Sequence, residues 1–172
     1  MELKIKKDKG IVITTSSYTK DFLKDCLVSL QSTPYDILIF SNDNYTPDLS
    51  YFNRQYELII NPENGWEIAG LQAGKDNFNR FVHIMDTTLI KDIALFDKLF
   101  EISGNSVLTR GNFHYMGKFV TKELPNLPRV HDKTTAIMLE TKWLDGFKFT
   151  EFDPDLPVFS TEFIEIHGQR RM

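Results

Sequence analysis

Four short polar clusters, each closing an apolar run, hold the side chains best suited to chemistry. They are Thr14-Thr15-Ser16-Ser17-Tyr18, Ser41-Asn42-Asp43-Asn44, Asn61-Pro62-Glu63-Asn64-Gly65 and Asp86-Thr87-Thr88. Asp86 makes the sharpest demand. It ends the apolar run 80–85, where a carboxylate is costly to bury without a partner. A hard divalent cation, Mg²⁺ or Mn²⁺, is one such partner, because these ions prefer oxygen ligands. The N-terminus of a helix after Thr88 is the other.

These clusters need elements that bring them to one edge. Residues 10–15 (Gly-Ile-Val-Ile-Thr-Thr) are a β-branched run that predicts a buried strand. Thr19 is placed to cap a helix from 20 to about 31. Strands follow over 35–40 and 56–60. A helix after Gly65 turns Trp66, Ala69, Leu71 and Ala73 inward and ends near Gly74 or Asp76. Residues 80–85 form a fourth strand. Apolar residues at 93, 96, 99 and 100 predict a helix over 90–102. Later strands are expected over 106–109, 135–139 and 161–166, with 112–129 mixed and a loop at Pro125 and Pro128. Nearly continuous apolar strands alternating with helices give an α/β sheet covered on both faces. Ligands of such sheets bind beyond the carboxyl ends of the strands, where the four clusters fall.

Composition narrows the function classes. The 172 residues carry 20 Lys+Arg against 24 Asp+Glu, a net charge of −4, so nothing draws the chain generally to nucleic acid or anionic lipid. With 41% hydrophobic residues it can bury one core, which predicts a single domain over 1–172. Cys26 is the one cysteine, so no intrachain disulfide forms, and a reducing, cytoplasmic setting is expected. Its place among Phe22, Leu23, Leu27 and Leu30 suits a small core residue better than a nucleophile. Residues 1–10 are basic, but the apolar stretch 11–13 is too short for a signal peptide, and no run is long enough to span a membrane. No G-x-G-x-x-G follows the first strand, and no P-loop or G-x-S-x-G elbow occurs. The Gly- and Arg-rich loop of a sugar nucleotidyltransferase is also missing. His83, His114, His131 and His167 are scattered and have no zinc spacing.

The ordered series resembles the glycosyltransferases of the GT-A fold, particularly the large family 2, from about Gly10 to Thr88. The first strand ends in a Thr/Ser-rich turn with an aromatic, Tyr18. The helix Phe22-Leu23-Lys24-Asp25-Cys26-Leu27-Val28-Ser29-Leu30 is similar to the family's L-x-x-C-L-x-S-L. Ser41-Asn42-Asp43 stands where the family often has an acid facing the nucleoside. Asn61-Pro62-Glu63-Asn64-Gly65 is similar to its N-x-G before a helix rich in small residues. Phe81-Val82-His83-Ile84-Met85-Asp86 resembles the strand that delivers its metal-binding D-x-D. Later, Trp143-Leu144-Asp145-Gly146-Phe147 resembles the family's G-G-F segment, with Glu151-Phe152-Asp153 where an acidic pair usually supplies the base.

The resemblance implies a minimal, Rossmann-like three-layer sandwich with a mainly parallel sheet. Residues 10–88 would be the nucleotide-binding half and 89–172 the acceptor half. It implies inverting transfer of a sugar from a nucleotide-diphosphate sugar, a UDP-sugar favoured, to an acceptor of unknown class. Thr14, Thr15, Tyr18, Asp43, Asn64 and Gly65 would hold the nucleotide. Asp86, Thr88 and His167 would hold Mn²⁺ or Mg²⁺, and Asp153, with Glu151 and Asp145 behind it, would be the base. The second acid of D-x-D is replaced by Thr88. Arg170 and Arg171 are therefore alternative neutralisers of the leaving group. Each residue has a plainer role as well: an Asx turn at Asp43, strand-end and cap chemistry at Thr14 and Thr15, an ordinary turn at 64–65, an exposed acidic loop at 151–155 and a solvated tail at 170–171. A catalytically reduced nucleotide-sugar binding module, or a protein-interaction domain of the same build, stays open. At 172 residues the second half is short, so an acceptor would be small or held partly by another subunit, as in a homo-oligomer.

Overall fold

The computed structural model describes residues 4–101 and three further stretches of strand, 106–110, 114–121 and 164–166. The elements in chain order are β1 (Lys7–Thr15), α1 (Lys20–Ser29), β2 (Asp36–Ser41), β3 (Glu57–Ile60), α2 (Trp66–Asn77), β4 (Phe78–Met85), β5 (Thr88–Ile90), α3 (Ala94–Glu101), β6 (Ser106–Arg110), β7 (His114–Thr121) and β8 (Ile164–Ile166). Six strands form one sheet in the order β3-β2-β1-β4-β7-β6. The first four are parallel; β7 is antiparallel to both β4 and β6. A second small sheet pairs β5 with β8. The result is a Rossmann-like α/β fold.

Strand alternation divides the core between two faces. Ile11 and Ile13 of β1, Ile37 and Ile39 of β2, and Val82 and Ile84 of β4 share one face. They pack with Leu23, Cys26 and Leu27 of α1 and Leu95, Phe96, Leu99 and Phe100 of α3. Cys26 is fully buried there, as its apolar neighbours predict. The other face carries Thr14, Phe81 and His83 and is covered by α2. A Cβ on Gly70 would lie 2.0 Å from Thr14 Oγ1, and one on Gly74 would lie 2.4 Å from the Phe81 ring. Among the described residues no helix is long and apolar enough to cross a membrane.

Three expectations are corrected. Ile90 belongs to a strand, not to the start of a helix, because Thr88, Leu89 and Ile90 pair with Ile166, Glu165 and Ile164; α3 starts only at Ala94. The mixed stretch from 112 contains β7, whose pairing comes from β4 and β6 rather than from its own apolar pattern. Trp66 is 36% exposed rather than turned inward. The expected strand over 135–139 lies outside the described residues.

The end of α1 is closed from a distance. Arg54 donates to the carbonyls of Leu30 (3.3 Å), Thr33 and Tyr35 (2.6 Å), fastening the loop before β3 to the α1–β2 turn. A guanidinium can span three carbonyls, whereas an ammonium is a single point of charge. Arg54→Ala is expected to destabilise the fold by about 1–3 kcal/mol in urea titrations, with Arg54→Lys recovering less than half of that loss.

Candidate functional site

The parallel strands end together: Thr14 is in register with Phe40 and Met85, and Thr15 with Ser41. From β1 the chain passes through α1 to β2 and then β3. It returns through α2 to β4, on the other side of β1. The connection leaving β1 runs through α1 on one face of the sheet, and the one returning to β4 runs through α2 on the other, so the two part at the carboxyl end of the sheet. A pocket of about 100 Å³ opens at this edge. Thr14, Thr15, Tyr18 and Thr19 form one wall; Asn42, Asn64 and Trp66 form the other.

Asp86 underpins the first wall. Its backbone N–H donates to Thr14 O at 3.1 Å, extending the β4–β1 ladder past Met85. Its carboxylate is fully buried, and Oδ2 accepts the hydroxyls of Thr15 (2.6 Å) and Thr19 (2.5 Å). Oδ1 has no hydrogen-bond partner of proper geometry among the described residues. Burial pushes the Asp86 pKa up to about 7, against the opposing pull of the two threonine hydroxyls and the backbone N–H groups of 86 and 87. Thr19 accordingly makes no side-chain cap to α1; its hydroxyl serves Asp86 instead. The helix-cap role for Asp86 also falls, because β5 follows it rather than a helix.

The second wall is organised by Asn42, which is 1% exposed at the end of β2. Its backbone N–H donates to Thr15 O at 2.9 Å. Its Oδ1 accepts from Asn61 Nδ2 (3.0 Å) and Gly65 N (3.1 Å), and its Nδ2 donates to Trp66 O (3.2 Å). Backbone bonds from Asp43 N to Glu63 O and from Asn44 N to Asn61 O complete the seam. Asp43 and Asn44 have φ of 59° and 52°, which their short polar side chains tolerate.

The expected nucleotide-binding residues thus divide. Thr14, Thr15, Tyr18 and Asn64 line the pocket. Gly65 supports it through Asn42. Asp43 does not line it, and its carboxylate lies 3.5 Å from Ser17 Oγ. Thr88 is buried in β5, away from the pocket wall. Asp145, Glu151, Asp153, His167, Arg170 and Arg171 lie outside the described residues. The roles of Asn42, Thr19, Trp66 and His83 at the site emerge only from the structure. His83 is fully buried with Nε2 2.7 Å from Thr14 Oγ1, a pairing that requires the β1–β4 register.

Asp86 offers one unbonded oxygen, and no group of three or more His, Cys, Asp or Glu among the described residues could hold a metal. The arrangement suits instead a polar ligand with a flat ring: hydroxyls and amides beside two partly exposed aromatics. No protein-family model and no curated protein matches the chain, so this reading rests on the geometry of the site.

Proposed function

We propose that the chain is a minimal glycosyltransferase of the GT-A type that takes a nucleotide-diphosphate sugar, a UDP-sugar favoured, as donor. The supporting observation is the position and lining of the pocket. It opens at the carboxyl ends of the parallel strands, beside Thr14 and Thr15 of β1, Asn42 after β2 and Met85 of β4, and joins Tyr18 and Trp66 to Thr14, Thr15 and Asn64. Transfer would be a single inverting displacement. The acceptor oxygen bonds to the anomeric carbon as its bond to the diphosphate breaks, and a carboxylate takes the acceptor proton. Asp153, with Glu151 and Asp145 as alternatives, is the proposed base. Mn²⁺ or Mg²⁺ held by Asp86, Thr88 and His167, or charge from Arg170 and Arg171, would neutralise the leaving group. A second reading, donor binding without transfer, is favoured by the closure of Asp86 Oδ2 by two hydroxyls.

Thermal denaturation with a panel of nucleoside diphosphates, each with and without Mn²⁺, tests the proposal. UDP at a hundred times its Kd is expected to add about 2.7 kcal/mol of stability, several degrees in Tm for a chain of this length. A further rise with Mn²⁺, together with slow hydrolysis of the UDP-sugar, supports transfer. Nucleotide binding with no hydrolysis supports the second reading. No response to any nucleotide overturns both.

A further inference from the structure

We infer that Trp66 is a stacking platform for a planar ring, lining the pocket in a left-handed backbone conformation that favours glycine over tryptophan. Trp66 has φ of 51°, in the left-handed region that disfavours a bulky residue. The preceding Gly65 has an ordinary φ of −92°. The chain therefore puts tryptophan where glycine would be relaxed, and glycine where the backbone angle does not call for one.

The strained conformation is pinned from both sides. Trp66 N–H donates to Asn64 Oδ1 at 3.0 Å, and its carbonyl accepts from Asn42 Nδ2 at 3.2 Å. Asn42 also holds the Gly65 N–H, so one buried amide fixes the whole entry to α2. Strain of this kind persists where surrounding contacts over-determine it, and it clusters at sites of function. Core packing is not what it serves: the residue is 36% exposed, while Ile68, Ala69 and Leu71 of the same helix are buried. It lines the same pocket as Tyr18, which is 81% exposed. Two aromatic faces beside hydroxyl and amide groups recognise a flat ring joined to a polar sugar, which is a nucleoside. The assignment rests on the nucleotide reading above and adds that the base, rather than the phosphates, is what Trp66 holds.

The test compares wild type, Trp66→Gly and Trp66→Phe by melting and by calorimetric titration with UDP, uridine and ribose 5-phosphate. Trp66→Gly is expected to melt at or above wild type without ligand, because glycine relieves the left-handed strain. It should bind UDP and uridine about tenfold more weakly, while Trp66→Phe stays within about threefold. Uridine should quench wild-type tryptophan fluorescence, ribose 5-phosphate should not, and Trp66→Phe should lose that quenching. If Trp66→Gly binds UDP as wild type does, the platform is overturned and the nucleotide reading stands. If wild type binds no nucleotide or nucleoside, both fall. A ligand-free Trp66→Gly that melts well below wild type also overturns the inference, because the indole is then a structural group.

Discussion

Asp86→Asn is expected to match or exceed wild-type stability at pH 8 and to lose most of the wild type's dependence on pH. The cause is the fully buried carboxyl, whose pKa burial lifts from 3.8 to about 7. Between those values the unfolded chain carries this group ionised, and the folded chain carries it protonated. The folded state then binds more protons, so stability falls as pH rises through the window and levels off above about pH 7. A shift of about three units corresponds to a loss on the order of 4 kcal/mol from pH 4 to pH 8. Other groups titrate too, so the informative quantity is the difference between wild type and variant in urea titrations across pH. Parallel profiles would sink the argument. Asp86→Ala should behave differently. It removes the acceptor shared by Thr15 and Thr19, leaves the buried Thr15 hydroxyl unpaired, and destabilises at every pH. The same titration bears on the proposed metal. A cation at Oδ1 would hold the carboxylate charged, so Mn²⁺ should flatten the wild-type slope without any assay of transfer.

The Asp86 result also shows what a sequence can and cannot convey. That this acid ends an apolar strand and needs a partner is legible from the run before it, and the carboxyl is indeed fully buried. That the partners are hydroxyls from the end of β1 and the start of α1 is not, because Thr15 and Thr19 lie 71 and 67 residues away. Thr19 looks like a helix cap locally, and a tertiary contact takes its hydroxyl. The first four strands were readable because each is apolar on both faces, as a sheet covered by helices demands. Ile90 reads as helical because apolar spacing at 93, 96, 99 and 100 extends naturally backwards. The strand partner that claims it, Ile164, lies far along the chain. Trp66 reads as an inward residue because tryptophan in a helix near alanines usually is one. Its positive φ turns on Asn42, a residue that reads locally as part of a polar turn.

Gly70→Ala should destabilise the fold, and the loss should centre on the pocket. Helix propensity alone argues the opposite, since alanine in place of a helical glycine gains about 1 kcal/mol. Contact decides the sign. The new Cβ would sit 2.0 Å from Thr14 Oγ1 and 3.1 Å from His83 Nε2. Thr14 cannot simply swing away: it is β-branched, and its hydroxyl is held by the buried His83 at 2.7 Å. Either α2 lifts from β1 and β4, or Thr14 leaves His83 and distorts the pocket wall it forms. Overpacking of this kind costs about 1–3 kcal/mol or more, enough to outweigh the propensity gain. The double variant Gly70→Ala with Thr14→Ala isolates the cause. Deleting the hydroxyl removes the clash, so the pair should be more stable than the sum of its single changes predicts, by about 1–3 kcal/mol in a double-mutant cycle. Additive losses would show that α2 yields elsewhere. Recovery of the fold without recovery of nucleotide binding would separate the two roles of Thr14, as a packing partner for the helix and as a pocket hydroxyl.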